Sequence, residues 1–334
     1  MDISESRYPP PPEVIESIRS AAERVNEYPD PLAQELHVAL AEYNKVNPHN
    51  IIVGNGSDEI IDMISRTFLD TGDEIVIFVP TFCQYDVSAK IVGANVIKIP
   101  SFSSKGYVIN PEEALSKVSS KTKIIWVCNP NNPTGNLIPE KHIIQLLENS
   151  KVIVAVDECY FEISGQTSLN LLKKYERLII VRSFSKTFCL AGLRIGYAIC
   201  DEGLVEKIRG VKQAFNVNLM AQVGATAALE NLDYYTDIWM RLSEERERMA
   251  EGLSRIGGVE ILPSVTNFLL MNISKSNKDS KKVYDELIRK KITVLPGWSH
   301  EFSGLGKSFL RVLVSTKEDN DKFIKEFTEV MKRV

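Results

Sequence analysis

The chain has 334 residues, of which 44% are hydrophobic and 25% charged, enough to bury a large core or two smaller ones. Its 40 basic and 44 acidic residues leave a net charge of −4, which gives no electrostatic footprint for nucleic acid. No apolar run reaches the roughly 18 residues of a membrane span, and the start MDISESRYPPPPEV has neither the basic nor the apolar region of a secretory signal. The five cysteines form no CxxC pair, and the four histidines (His37, His49, His142, His300) have no ligand spacing. Reduced thiols, no metal, no nucleic acid or membrane partner and a cytoplasmic location are therefore expected.

The run Pro9–Pro12 reads as a stiff extended lead into a first helix. NIIVGNG then predicts a strand ending in a glycine turn, and SDEIIDMISRTFL follows with helical spacing at Ile60, Ile61, Ile64 and Phe68. EIVIFVP, ANVIKIP, TKIIWVC, KVIVAVDE, RLIIVRSF and IGYAIC are apolar runs of strand length. Most are apolar throughout, as strands covered on both faces must be. Helical patterns between them, over 83–92, 139–149 and 204–215, predict an α/β body with a mostly parallel sheet flanked by helices. Beyond Met220 come two long helical stretches, strand-like VEIL, NFLLMNI, ITVLP and FLRVLV, and two more helices. This tail, with the first 25 residues packed on it, predicts a smaller α+β domain of residues 1–25 and 233–334, against a large domain of 26–232.

Four segments at predicted strand ends carry chemistry, where α/β sheets place ligands. Gly54-Asn55-Gly56-Ser57-Asp58-Glu59 opens a helix, so its backbone N–H groups suit an anion such as phosphate; a plain strand-to-helix turn has the same wording. Asn129-Pro130-Asn131-Asn132-Pro133-Thr134-Gly135 forces an irregular loop whose amides suit a ligand oxygen, or simply make an elaborate turn. Asp157-Glu158-Cys159-Tyr160 places a carboxylate where a buried strand emerges, which demands a cationic partner: a protonated ring nitrogen, an arginine or a helix N-cap. In Ser183-Phe184-Ser185-Lys186, followed by Gly192-Leu193-Arg194-Ile195-Gly196, the lysine suits Schiff-base chemistry beside a phosphate.

The order GNGSDE, NPNNPTG, DECY, SFSK, GLRIG and FLRVLV resembles the pyridoxal-phosphate aminotransferases of fold type I, and most of all the histidinol-phosphate aminotransferases, over nearly the whole chain. The resemblance implies pyridoxal 5'-phosphate as cofactor and Lys186 as its covalent anchor and as the base that moves the substrate's proton. By the same resemblance Asp157 pairs with the ring nitrogen, Tyr160 and Asn132 hold the ring oxygen, and Phe82 stacks on the ring, where tyrosine is usual. Ser57, Asp58, Ser183, Ser185 and Arg194 hold the phosphate, and Tyr28 reaches it from the partner subunit of a homodimer. Arg311, with Asn132, binds the substrate's acidic group.

The implied reaction takes histidinol phosphate and 2-oxoglutarate to imidazole acetol phosphate and glutamate. An aromatic or other amino-acid aminotransferase is the alternative, and a threonine-phosphate decarboxylase a further one. Two departures bear on the choice. Leu295 stands where the resemblance places a second phosphate-binding arginine, and Ile3–Arg7 falls where an asparagine-rich stretch is usual. The segment that closes over substrate is accordingly expected to be absent, with Arg7 or Arg19 as candidates to replace its charge.

Overall fold

A computed structural model describes residues 4–101 and 106–333; of Ile3–Arg7, Ile3 lies outside the described residues. The larger sheet contains β1 (Ile51–Gly54), β2 (Glu74–Val79), β4 (Asn95–Pro100), β5 (Thr122–Cys128), β6 (Ile153–Asp157), β7 (Leu178–Ser183) and β8 (Gly196–Cys200), while β3 is the short Thr81–Phe82. Its strand order is β1-β8-β7-β6-β5-β2-β4. Only β8 runs against its neighbours; the ladder from β4 through β7 is parallel.

Alternate residues of each strand feed two separate cores, which is why the runs are apolar throughout. Val76, Ile125, Val154 and Ile180 enter one core, with the helices Gln34–Asn44, Glu140–Asn149 and Leu219–Glu230. Ile75, Ile124, Ala155 and Ile179 enter the other, with the helices Ser57–Phe68, Gln84–Ile91 and Glu202–Arg209.

A second, antiparallel sheet has the order β11-β13-β10-β9, from β9 (Glu260–Ile261), β10 (Phe268–Asn272), β11 (Leu295–Pro296) and β13 (Phe309–Leu313). The helices Leu232–Ser254, Ser280–Arg289 and Lys317–Arg333 cover it around Met249, Leu287, Phe323 and Phe327. Between them β12 (Phe302–Ser303) pairs with β3, stitching the two parts together beside the site.

Two sequence expectations are corrected. The first helix, Pro12–Ala22, packs on the helix Leu219–Glu230, which the bounds above leave in the larger domain: Val14 is buried in the core of the larger sheet, and Ile18 packs against it and faces Gly224. Among residues 4–25, the approach to the smaller domain is made by the lead instead, where the Asn267 amide donates to the Ser4 carbonyl at 3.0 Å and Tyr8 joins the second core. The helix expected over 204–215 runs over Glu202–Arg209, capped by the Asp201 carboxylate accepting from the Gly203 N–H at 2.8 Å.

Candidate active site

Strand polarity gathers the motifs. β1, β5, β6 and β7 share one direction, so Gly54, Cys128, Asp157 and Ser183 end at one rim. The reversed β8 starts there, with Gly196 opposite both Gly54 and Ser183. At this rim lies a cavity of about 620 Å³. Ser57, Asp58, Phe82, Asn132, Asp157, Tyr160, Ser183, Ser185, Lys186, Arg194 and Arg311 all line it. Of the residues singled out from the sequence as direct ligands, Tyr28 alone stands outside.

The turn at Gly56 and the residue Arg194 form one unit. Gly56 has φ +83°, and a Cβ there would meet Nη2 of Arg194 at 2.6 Å. A Cβ on Gly196 would strike the Ser57 backbone nitrogen at 2.5 Å, so glycine is required for strand and helix to approach. Arg194 itself takes φ 56°, a left-handed conformation that aims its guanidinium back across the turn. Its Nη2 donates to Asp58 Oδ2 at 3.0 Å and its Nη1 to Ser185 Oγ at 3.3 Å. With the first N–H groups of the helix Ser57–Phe68, these donors make a cradle for an oxyanion.

Asp157 is buried on the cavity wall. Tyr85 donates to its Oδ2 at 2.6 Å and the Cys159 N–H to its Oδ1 at 3.1 Å. Burial raises its pKa and these hydrogen bonds oppose the rise, so a buried cation against this carboxylate would be strongly held. Tyr85 stacks on Trp126 at 4.7 Å, which fixes the donor. Lys186 has its pKa lowered, first by burial and then by the charge of Arg311. Behind it, Trp239 of the helix Leu232–Ser254 donates to the carbonyl of Thr187 at 2.8 Å and anchors the segment that carries the lysine.

The asparagine-rich loop divides its work. Asn129 accepts from the Ile138 N–H at 2.8 Å, and Asn131 donates to the Pro80 carbonyl at 3.0 Å and to Thr134 at 2.6 Å; these two brace the loop. Asn132 alone of the three lines the cavity, accepting from Nη1 of Arg311 at 2.5 Å. Arg311 is buried in β13, with its guanidinium over the rings of Phe268 (4.9 Å) and Phe302 (5.2 Å). Tyr160 meets the same Phe268 edge-on at 5.4 Å, and Phe82 lies edge-on to Tyr85 at 5.9 Å.

Tyr28, Arg7, Arg19 and Leu295 do not line this cavity. Tyr28 is 81% exposed and stacks on Phe215 at 4.5 Å, away from its own cavity. Neither candidate for added charge lines the cavity: Arg7 lies 3.9 Å from Asp319, and Arg19 bonds Glu16 on an exposed helix face. Leu295 is buried and stands directly opposite Arg311 in the ladder. The sequence reading passed over Ser4, Cys128, Cys159 and Glu301 as lining residues, and Tyr85 as a partner of Asp157. Cys159 lies inside the motif Asp157–Tyr160, and Tyr85 three residues beyond Phe82. Among the described residues no cluster of side chains could hold a metal, and no helix is long and apolar enough to cross a membrane.

Comparison with known proteins identifies the family. The family model described as aminotransferase class I and II matches residues 1–327. The histidinol-phosphate aminotransferase of Thermoanaerobacter pseudethanolicus is 38% identical, over 99% of this chain and 92% of that relative. The crystal structure of the histidinol-phosphate aminotransferase from Clostridium acetobutylicum superposes with a TM-score of 0.89 at 27% identity, covering 99% of both chains. That of the Sinorhizobium meliloti enzyme in complex with pyridoxal-5'-phosphate shares the fold, with a TM-score of 0.91 at 23% identity over 99% of this chain and 90% of that one. The chain therefore belongs to the class I and II aminotransferase family and is a transaminase of that family.

Proposed function

We propose that the protein is a homodimeric, cytoplasmic histidinol-phosphate aminotransferase that uses pyridoxal 5'-phosphate. It passes the amino group of histidinol phosphate to 2-oxoglutarate, giving imidazole acetol phosphate and glutamate. The observation that carries the reading is a single cavity holding a buried lysine, a buried carboxylate and two arginines in different settings. Arg194 serves an oxyanion cradle, while Arg311 sits on the second sheet beside Asn132.

The residues fit the cofactor. The cradle excludes a Cβ at Gly56, and its donors suit a phosphate. Ser57, Ser183, Ser185 and Arg194 would hold that phosphate, with Asp58 orienting the guanidinium. Asp157 would hold the ring nitrogen protonated, Asn132 and Tyr160 the ring oxygen, and Phe82 would cover the ring. When bound, the cofactor supplies an electron sink for the pair left as the substrate's Cα–H bond breaks. Lys186, whose pKa is lowered by burial, offers its amine both as the attachment point and to take that proton. Arg311, held by Asn132, orients the substrate through its acidic group. Tyr28 and Phe215, with exposed Val25 and Leu32, form the face that meets the partner subunit, to whose phosphate site Tyr28 contributes.

One observation favours a second reading. With Leu295 opposite Arg311, a single arginine suffices for an α-carboxylate, as in an aromatic amino-acid aminotransferase. A single-turnover assay on the cofactor-loaded protein separates the two. Histidinol phosphate should bleach the visible cofactor band fastest; faster bleaching by phenylalanine or tyrosine would transfer the assignment to the second reading.

A further inference from the structure

The cavity contains a carboxylate that the roles above do not use. Glu301 lines it at the Arg311 end, with its Oε2 4.0 Å from Nη2 of Arg311 and its side chain 40% exposed. At that distance the carboxylate is an electrostatic neighbour of the guanidinium and does not accept a hydrogen bond from it.

The backbone around Glu301 is pinned. The Cys83 N–H donates to the Glu301 carbonyl at 3.1 Å, and the Glu301 N–H donates to Ser299 Oγ at 3.2 Å. The next residues pair with the strand that carries Phe82, Phe302 opposite Phe82 and Ser303 opposite Thr81. Glu301 is thus fixed between the residue that would cover the cofactor ring and the arginine that would take the substrate's acid.

A negative charge in this position opposes an acidic substrate unless the substrate brings a compensating donor. A hydrocarbon side chain in the same place would strip water from the carboxylate and return nothing. A ring that carries N–H groups returns what is lost, since it can donate to Glu301 where that carboxylate lines the cavity. We propose that Glu301 selects the substrate's side chain, its carboxylate accepting a hydrogen bond from the N–H of an imidazole while Arg311 holds the acidic group. The inference rests on the transaminase reading of the cavity and supplies that site with a specificity residue.

The test uses two ligands that lack an amine and cannot react, 3-(imidazol-4-yl)propanoate and 3-phenylpropanoate, titrated calorimetrically into the cofactor-loaded protein. Both carry the carboxylate for Arg311 and differ in the ring N–H. Wild type should bind the imidazole ligand more tightly, and Glu301→Gln should weaken it about tenfold or more while leaving the phenyl ligand unchanged or improved. Glu301→Asp should keep part of the preference. Equal losses for both ligands in both variants would mean that Glu301 merely props Arg311, and would overturn the proposal. An unchanged imidazole affinity would overturn it as well. Should wild type fail to transaminate histidinol phosphate while the ligand preference still moves with Glu301, the substrate assignment falls and this inference stands.

Discussion

Two arginine–carboxylate pairs, each at the end of a strand of the larger sheet, have opposite fates. Arg182 and Glu158 meet at 2.9 Å with side chains 2% and 0% exposed. Arg182 also donates to Asn44 and Thr167 and lies over the Phe161 ring at 3.5 Å. Arg194 and Asp58 meet at 3.0 Å with side chains 42% and 48% exposed, facing the cavity. The sheet's alternation sets this division: Ser183 follows Arg182 and points to the other face, just as Asp157 precedes Glu158. One face closes its charges into a network that fixes the ends of β6 and β7. The other leaves its donors toward a space where a ligand fits. In these two pairs, burial with complete partners goes with structure and exposure inside the cavity goes with a place for a ligand.

The largest expected effect lies on the open face. Lys186→Ala should lower turnover of the cofactor-loaded protein by at least about 10³-fold, because the proposed anchor and proton carrier are lost together. Steady-state assays, with the visible cofactor band as control, check this; turnover near the wild-type rate would break the functional half of the comparison.

The next effect lies on the closed face. Glu158→Ala leaves the Arg182 charge buried against the Phe161 ring, and should cost about 3–5 kcal/mol in denaturant unfolding. Arg194→Ala should show the reverse. Its half-exposed pair contributes less than about 1 kcal/mol to stability. Loss of its charge-assisted bonds should nevertheless weaken pyridoxal phosphate roughly 10–100-fold, measured by fluorescence titration. Similar stability losses in the two variants would erase the distinction.

A further effect is a pH dependence on the closed face. Burial pushes the Glu162 carboxyl up to about 8, with the Arg182 charge opposing it, from an ordinary value of 4.5. Between those values the folded chain holds a proton that the unfolded chain has released. Stability from this group therefore falls as pH rises across the window. Glu162→Gln should flatten that decline, read as the change in denaturant midpoint between about pH 5 and pH 8. An equal slope in both proteins would remove Glu162 from the network's titration.

The open face was largely legible in the sequence because it is built from local signals. A strand-length apolar run that stops at Asp157, or a glycine turn that opens a helix at Ser57, names both an element and the residue at its end. The closed face left no such trace. Asn44 and Arg182 are 138 positions apart, and nothing in the spacing says that a helix end and a strand end will meet. Glu301 escaped for a similar reason: two-residue strands place it, too short to show any period. The helix Pro12–Ala22 was grouped with the smaller domain because Val14 and Ile18 declare an apolar stripe without declaring which core receives it.

The most direct test of the central assignment is to trap the covalent bond to the lysine. The protein is loaded with pyridoxal phosphate, reduced with borohydride, digested and analysed by mass spectrometry. The phosphopyridoxyl mass should appear on Lys186 and nowhere else in stoichiometric yield. Its appearance on another lysine, or its absence from a protein that still turns over substrate, would contradict the account.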